Sequence, residues 1–197
     1  AFALSCNTAF VEMSEQLGAD ELRKYAKAFG VGENYDLGVS TSAGTLGDLP
    51  DGAATAQSAI GQRDVTMTAL QAAVMAGTVA NKGTRMQPYL VNRITDAQMK
   101  DIRTTKPKKA DQAVNEETAA TLTDLMYASE RSSAGYDGNG FASKTGTAEH
   151  GEGLAPHVWY VAFDPERDIA VGVVVKNGGN LGAVSYTHLR AHETDSY

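Results

Sequence analysis

The stretch Phe141-Ala-Ser-Lys-Thr-Gly-Thr-Ala148, followed by His157-Val-Trp-Tyr-Val-Ala-Phe163 and Ile169-Ala-Val-Gly-Val-Val-Val175, decides the fold. β-branched and aromatic residues crowd all three runs, which predicts strands over 141–148, 158–163 and 169–176. Asp164-Pro-Glu-Arg-Asp168 joins the last two, a cluster of turn formers that brings neighbours back antiparallel. The third run is apolar at nearly every position, as a strand covered by helices on at least one face tolerates. Helical spacing dominates upstream. Phe10, Met13 and Leu17 predict a helix over 8–17, with Ser5 or Asn7 as its N-cap and Gly18 as its stop. Leu22, Tyr25, Ala26 and Phe29 predict a second over 20–29, ended by Gly30. A third is expected over 64–81, where Thr68 and Gln71 make a capping-box pair and small residues imply close packing. A fourth runs from the N-cap Asn115 to about Glu130, with Leu122, Leu125 and Met126 inward. A short strand is expected at 89–94, and loops over 30–61 and 95–114. Helices laid over an antiparallel sheet make the class α+β.

The chain has 197 residues, 42% hydrophobic and 21% charged, a composition that calls for a folded domain. A net charge of -7 and the absence of a basic stripe argue against nucleic acid as a partner. Lys106, Lys108 and Lys109 beside Pro107 read as a solvated loop. Cys6 is the one cysteine, so neither an intrachain disulfide nor a cysteine-rich zinc site can form. It reads as a small, partly buried side chain. No apolar run approaches the roughly 18 residues needed to cross a bilayer. His150 and His157, seven apart around a glycine-rich loop, read as surface chemistry rather than metal ligands.

Ser5-Cys-Asn7 before a helix and Lys144-Thr-Gly-Thr147 on a strand carry the chemistry by occurring together. Ser-x-Asn alone is better explained by helix capping. Lys-Thr-Gly lacks the glycine-rich order of a phosphate loop. In this order, 139 residues apart, the two resemble the second and third signature motifs of penicillin-binding proteins and serine β-lactamases. The blocks Ser5-Cys-Asn-Thr-Ala-Phe10, Gly61-Gln-Arg-Asp-Val65, Ala80-Asn-Lys-Gly-Thr-Arg-Met-Gln-Pro-Tyr89 and Ser143-Lys-Thr-Gly-Thr-Ala-Glu-His150 resemble the class B penicillin-binding proteins, particularly of actinobacteria. His157-Val-Trp-Tyr-Val-Ala-Phe163 fits the strand that follows in that family.

The resemblance, which covers roughly 1–183, implies the penicillin-binding protein/serine β-lactamase-like transpeptidase fold and a D,D-transpeptidase that cross-links peptidoglycan through a serine acyl-enzyme. It implies that Lys144 attracts the free carboxylate of a stem peptide ending in D-Ala-D-Ala, with the hydroxyls of Thr145 and Thr147 donating to it. Gly146 would let the peptide backbone pair with the strand. The Thr147 N–H would supply half of an oxyanion hole, worth about 3 kcal/mol in the transition state. Ser5 would relay a proton to the leaving amine, and Asn7 would hold the donor amide. The implied partners are the stem peptide and β-lactam antibiotics, with a parent protein anchored in the cell membrane, facing outward, in a cell-wall synthesis complex. No metal or cofactor enters this chemistry. Trp159 and Tyr160 read as core and rim.

One departure matters: no serine in the sequence is followed three residues later by lysine, so the family's Ser-x-x-Lys nucleophile motif is missing. The chain is therefore expected to be incomplete at both ends and inactive alone, since without that serine no acyl-enzyme forms. Val184-Ser-Tyr-Thr-His-Leu-Arg-Ala-His-Glu-Thr194 breaks the family pattern, and its back-translation resembles a sequencing adapter. Residues 184–197 are accordingly expected to be non-native, with 1–183 the partial transpeptidase domain. A serine β-lactamase or D,D-carboxypeptidase shares both motifs, and a penicillin-sensing receptor domain is a further alternative.

Overall fold

The computed structural model describes residues 1–179 apart from Ala134, so the expectation for 184–197 lies outside the described residues. In chain order the elements are α1 (Asn7–Ala28), α2 (Gly52–Ala59), α3 (Ala69–Ala80), β1 (Thr84–Met86), β2 (Arg93–Thr95), β3 (Asp101–Thr104), β4 (Lys109–Gln112), α4 (Glu116–Arg131), β5 (Ala142–Ala148), β6 (His157–Asp164) and β7 (Ile169–Val175). The central sheet is antiparallel in the order β5-β6-β7, with Lys144 opposite Val161 and Trp159 opposite Val174. Its outer edge strand, β5, carries Lys-Thr-Gly.

α3 lies across β7 and β6. Close contact requires Gly172, because a Cβ there would stand 2.4 Å from the Ala69 carbonyl oxygen and 2.6 Å from the Ala73 nitrogen. Small residues on both elements therefore let the helix sit on the sheet, and Ala76, Val79, Met126, Ala142 and Phe163 fuse into one buried cluster beneath them. The capping box forms as expected: Thr68 accepts from the Gln71 N–H and Gln71 accepts from the Thr68 N–H. Gln71 is fully buried, and its Nε2 donates to the carbonyls of Gly30 and Ala43, so this side chain also ties down the loop after α1.

Several expectations are corrected. The predicted helix over 64–81 begins at Ala69, because 64–68 pairs instead with the 45 region through a Thr45–Thr66 bridge. α2 falls inside the expected 30–61 loop. Its Gly-Ala-Ala-Thr-Ala-Gln-Ser-Ala sequence has no large apolar stripe, and it is held by Asp51, which accepts from the Ala54 N–H at 2.8 Å, and by packing on α1. The strand expected at 89–94 reduces to β2, while β1, β3 and β4 were hidden in polar sequence. All four residues of β3 and of β4 are exposed, so no buried face imposes the alternation that makes strands visible. Leu125 is 38% exposed rather than inward, whereas Leu122 and Met126 pack on the core as expected. Gly18, with φ +78°, breaks α1 where a stop was expected.

Candidate active site

The N-terminus of α1 and the outer edge of β5 face each other across a cleft of about 350 Å³ lined by Ser5, Asn7, Phe10, Gln62, Lys144 and the Thr145–Gly146–Thr147 run, among others. The ammonium of Lys144 donates to Ser5 Oγ and, at 2.8 Å, to the Thr145 carbonyl. It also lies 5.9 Å from the centre of the Phe2 ring, which packs edge-on against Phe10 at 6.3 Å. All six residues singled out in the sequence thus reach one cleft. A larger hollow of about 590 Å³ between α3 and the β6–β7 turn includes Asp164, whose carboxylate is committed to Arg167.

Helix capping, the simple explanation of Ser-x-Asn, does not hold. The N-cap is Cys6, which makes no side-chain capping bond, and Asn7 is already the first helical residue. Ser5 sits at φ +50°, a left-handed conformation that costs a non-glycine residue of order 1 kcal/mol or more, and its hydroxyl turns to Lys144. Cys6 is exposed rather than partly buried, with Sγ 3.3 Å from Thr8 Oγ1; that contact holds its thiol below the usual range.

Burial lowers the pKa of Lys144. Its ammonium is therefore easier to deprotonate than a surface lysine, and its charge is under-solvated and receptive to an anion. Gly146 lies opposite Trp159, and a Cβ there would make only ordinary contact with Trp159 Cβ at 3.4 Å, so packing on β6 does not itself call for glycine. Tyr160 is buried in the core, while Trp159 is only half-buried.

Two residues gain a role only from the structure: Gln62, which the sequence offered only as part of the 61–65 block, and Glu130. Gln62 bridges into the cleft, donating from Nε2 to the Thr147 carbonyl at 3.1 Å and accepting the Glu149 N–H at 3.3 Å. Glu130, 1% exposed, lies behind the strand. Its carboxylate accepts from Ser143 Oγ, from Tyr160 OH at 3.0 Å and from Asn139 Nδ2 at 3.2 Å. Ser143 immediately precedes Lys144, so this anchor fixes the strand that presents the lysine. A charged residue at an inward helical position was the available signal. His150 and His157 stack at 3.7 Å; the first donates from Nε2 to the Ala155 carbonyl and the second accepts the Asn177 N–H at Nδ1. Burial, first, and the neighbouring His150 and Lys176 lower the His157 pKa. Among the described residues no three potential ligands cluster as a metal site, and no helix is long and apolar enough to cross a membrane.

A model of the penicillin binding protein transpeptidase domain family matches residues 1–192. The peptidoglycan D,D-transpeptidase PbpA of Mycolicibacterium smegmatis is 45% identical over 189 residues, 91% of this chain and 38% of the relative. Its Mycobacterium tuberculosis counterpart is 41% identical over the same length and share. The chain thus spans 38% of the length of these relatives. The penicillin G acyl-enzyme complex of penicillin-binding protein A from M. tuberculosis superposes with a TM-score of 0.90 at 40% identity, covering 97% of this chain and 46% of that one. A D,D-transpeptidase domain from Eggerthella lenta aligns over the whole chain, with a TM-score of 0.79 at 25% identity.

Proposed function

The chain belongs to the penicillin-binding protein transpeptidase domain family, and from that premise we propose that it is the substrate-binding half of a peptidoglycan D,D-transpeptidase site, one that takes stem peptides ending in D-Ala-D-Ala and the β-lactams that mimic them. One observation carries the reading: Lys144 reaches across the cleft to Ser5 while standing on the edge strand of the sheet, on whose outer side no further strand pairs among the described residues. A peptide C-terminus needs a cation at its carboxylate, hydrogen-bond donors beside it and a strand edge along its backbone. Lys144 supplies the first, Thr145 and Thr147 the second, and β5 with Gly146 the third.

In the acyl transfer, the Thr147 N–H takes the developing oxyanion, Ser5 passes a proton between the nucleophile and the leaving amine with Lys144 behind it, and Asn7 holds the donor amide. The lowered pKa of Lys144 suits that relay, since a lysine nearer neutrality exchanges protons more readily. The nucleophile is supplied by a Ser-x-x-Lys segment outside these 197 residues, so the chain by itself binds but does not acylate. The assembled protein acts at the outer face of the cell membrane, within a cell-wall synthesis complex.

The test is a calorimetric titration with diacetyl-Lys-D-Ala-D-Ala and with the same peptide as its C-terminal amide. The free acid binds, the amide binds at least about tenfold more weakly, and Lys144→Ala erases the difference. Equal binding of acid and amide by the unaltered chain would end the carboxylate reading. Intact mass after incubation with penicillin G should show no adduct, and a stoichiometric one would mean that a nucleophile lies within the chain.

A further inference from the structure

Resting on the transpeptidase reading, we propose that Gln62 is a specificity-determining residue that occupies the outer edge of β5 as a one-residue stand-in for a strand, and that the donor stem peptide must displace it. In an antiparallel pair, a hydrogen-bonded residue exchanges both its N–H and its C=O with one partner residue, and the next outward groups lie two residues along. On β5 the outward carbonyls are those of Thr145 and Thr147, followed by the Glu149 N–H. Lys144 Nζ takes the Thr145 carbonyl at 2.8 Å. The carboxamide of Gln62 takes the other two, donating to Thr147 at 3.1 Å and accepting from Glu149 at 3.3 Å. These are the groups an added antiparallel peptide needs. If the Thr147 N–H holds the scissile carbonyl oxygen, the N–H of that same penultimate D-Ala is due at the Thr147 carbonyl. The carbonyl two residues upstream in the peptide is due at the Glu149 N–H. A carbonyl oxygen has two lone pairs and can be shared, but the Glu149 N–H has a single hydrogen, so peptide and Gln62 compete for it.

The placement of Gln62 is built into the backbone on both sides. α2 ends in a Schellman motif: the Gln62 N–H reaches the Gln57 carbonyl at 3.0 Å, the Gly61 N–H reaches Ser58 at 3.0 Å, and Gly61 takes the left-handed φ of +74° that the motif requires. Arg63 follows at φ +64°, unfavourable for a non-glycine residue, held by its guanidinium on the Asp48 carbonyl. Backbone strain immediately beside a cleft residue fits a side chain aimed at one target. The edge strand is thereby closed to unrelated strands until a peptide bearing the right C-terminus arrives.

Two measurements on the 197-residue chain test this, with circular dichroism as a check on folding. In Gln62→Ala the Glu149 amide should exchange with solvent at least about tenfold faster, and diacetyl-Lys-D-Ala-D-Ala should bind about tenfold more tightly, because the Glu149 N–H no longer has to be taken from Gln62. In the unaltered chain, saturating peptide should shift the Gln62 side-chain amide resonance while keeping Glu149 protected. Where Gln62→Ala does not fold, Gln62→Asn, one methylene shorter, releases the same groups. Equal or weaker binding by the variant, or unchanged Glu149 exchange, overturns the proposal alone. Absence of binding by both forms overturns it together with the functional reading beneath it.

Discussion

The two walls of the cleft are built on opposite terms. The β5 wall pairs along all seven residues with β6 and is pinned from behind by a buried carboxylate, Glu130, whose oxygens hold Ser143, Tyr160 and Asn139. The α1 wall begins at a left-handed Ser5, passes through an N-cap that forms no side-chain bond, and keeps Ser5, Cys6 and Asn7 exposed. It meets the sheet through Lys144–Ser5 and through Phe2, which packs on the core and against Phe10. On the proposed function, rigidity on one side and sparse local anchoring on the other would let the strand fix where a peptide lies, while the helix start gives up local stability to offer its polar groups to the site.

The largest expected effect would break the stiffer wall. Glu130→Ala removes the shared acceptor from three donors in a dry site and should destabilise the fold by about 3 kcal/mol, read as a fall in urea midpoint at unchanged slope. A loss under about 1 kcal/mol would show that β5 needs no anchor beyond its pairing. The comparison is sharpened next at a conventional cap. Asn115 Oδ1 accepts the Thr118 N–H at 2.7 Å, so Asn115→Ala should cost about 1 kcal/mol in the same assay. Ser5→Ala, at a position whose sequence also suits a cap, should cost no more than about 0.5 kcal/mol, because it caps nothing and solvent at this exposed position can replace the hydroxyl as acceptor for Lys144. Its effect should fall on proton relay within the assembled enzyme. A cost at Ser5 equal to that at Asn115 would return the triplet to a helix-capping role.

The legibility of the chain follows the same division. The three central strands, the capping box at Thr68 and the cap at Asn115 were readable because a local hydrogen bond or a continuous apolar run imposes each residue type. The helix at 52–59 and the exposed β3 and β4 were not, since alanine-rich or wholly solvated segments carry no periodic signal. At the site, Ser5 and Lys144 were found through motif resemblance, and their meeting is a tertiary fact that spacing cannot express. Gln62 stood in the 61–65 block without a role of its own, and the inward charge of Glu130 did not reveal its partners; their roles arise from 85 and 13 residues of chain folding back on themselves.

The smallest expected effect is a slope in pH, and it distinguishes the walls by charge. Burial depresses the pKa of folded Lys144, whereas in the unfolded chain the same ammonium keeps its proton up to about its ordinary 10.5. In the window just below that value the unfolded chain binds more protons, so this lysine makes stability rise with pH; far below it, both states are charged and the burial cost is present in full. Lys24 and Lys82, raised by Glu21 and Glu116, act with the opposite sign, losing stability as pH rises. The difference between the unaltered chain and Lys144→Met cancels those two and isolates the buried lysine. Urea midpoints followed from neutral pH to about pH 10.5 should rise less steeply, or fall more steeply, in Lys144→Met than in the unaltered chain. Parallel curves would mean that the ammonium is as well solvated in the cleft as on the surface. The cleft would then lack the unsatisfied charge that gives a peptide carboxylate reason to replace Ser5 as its partner.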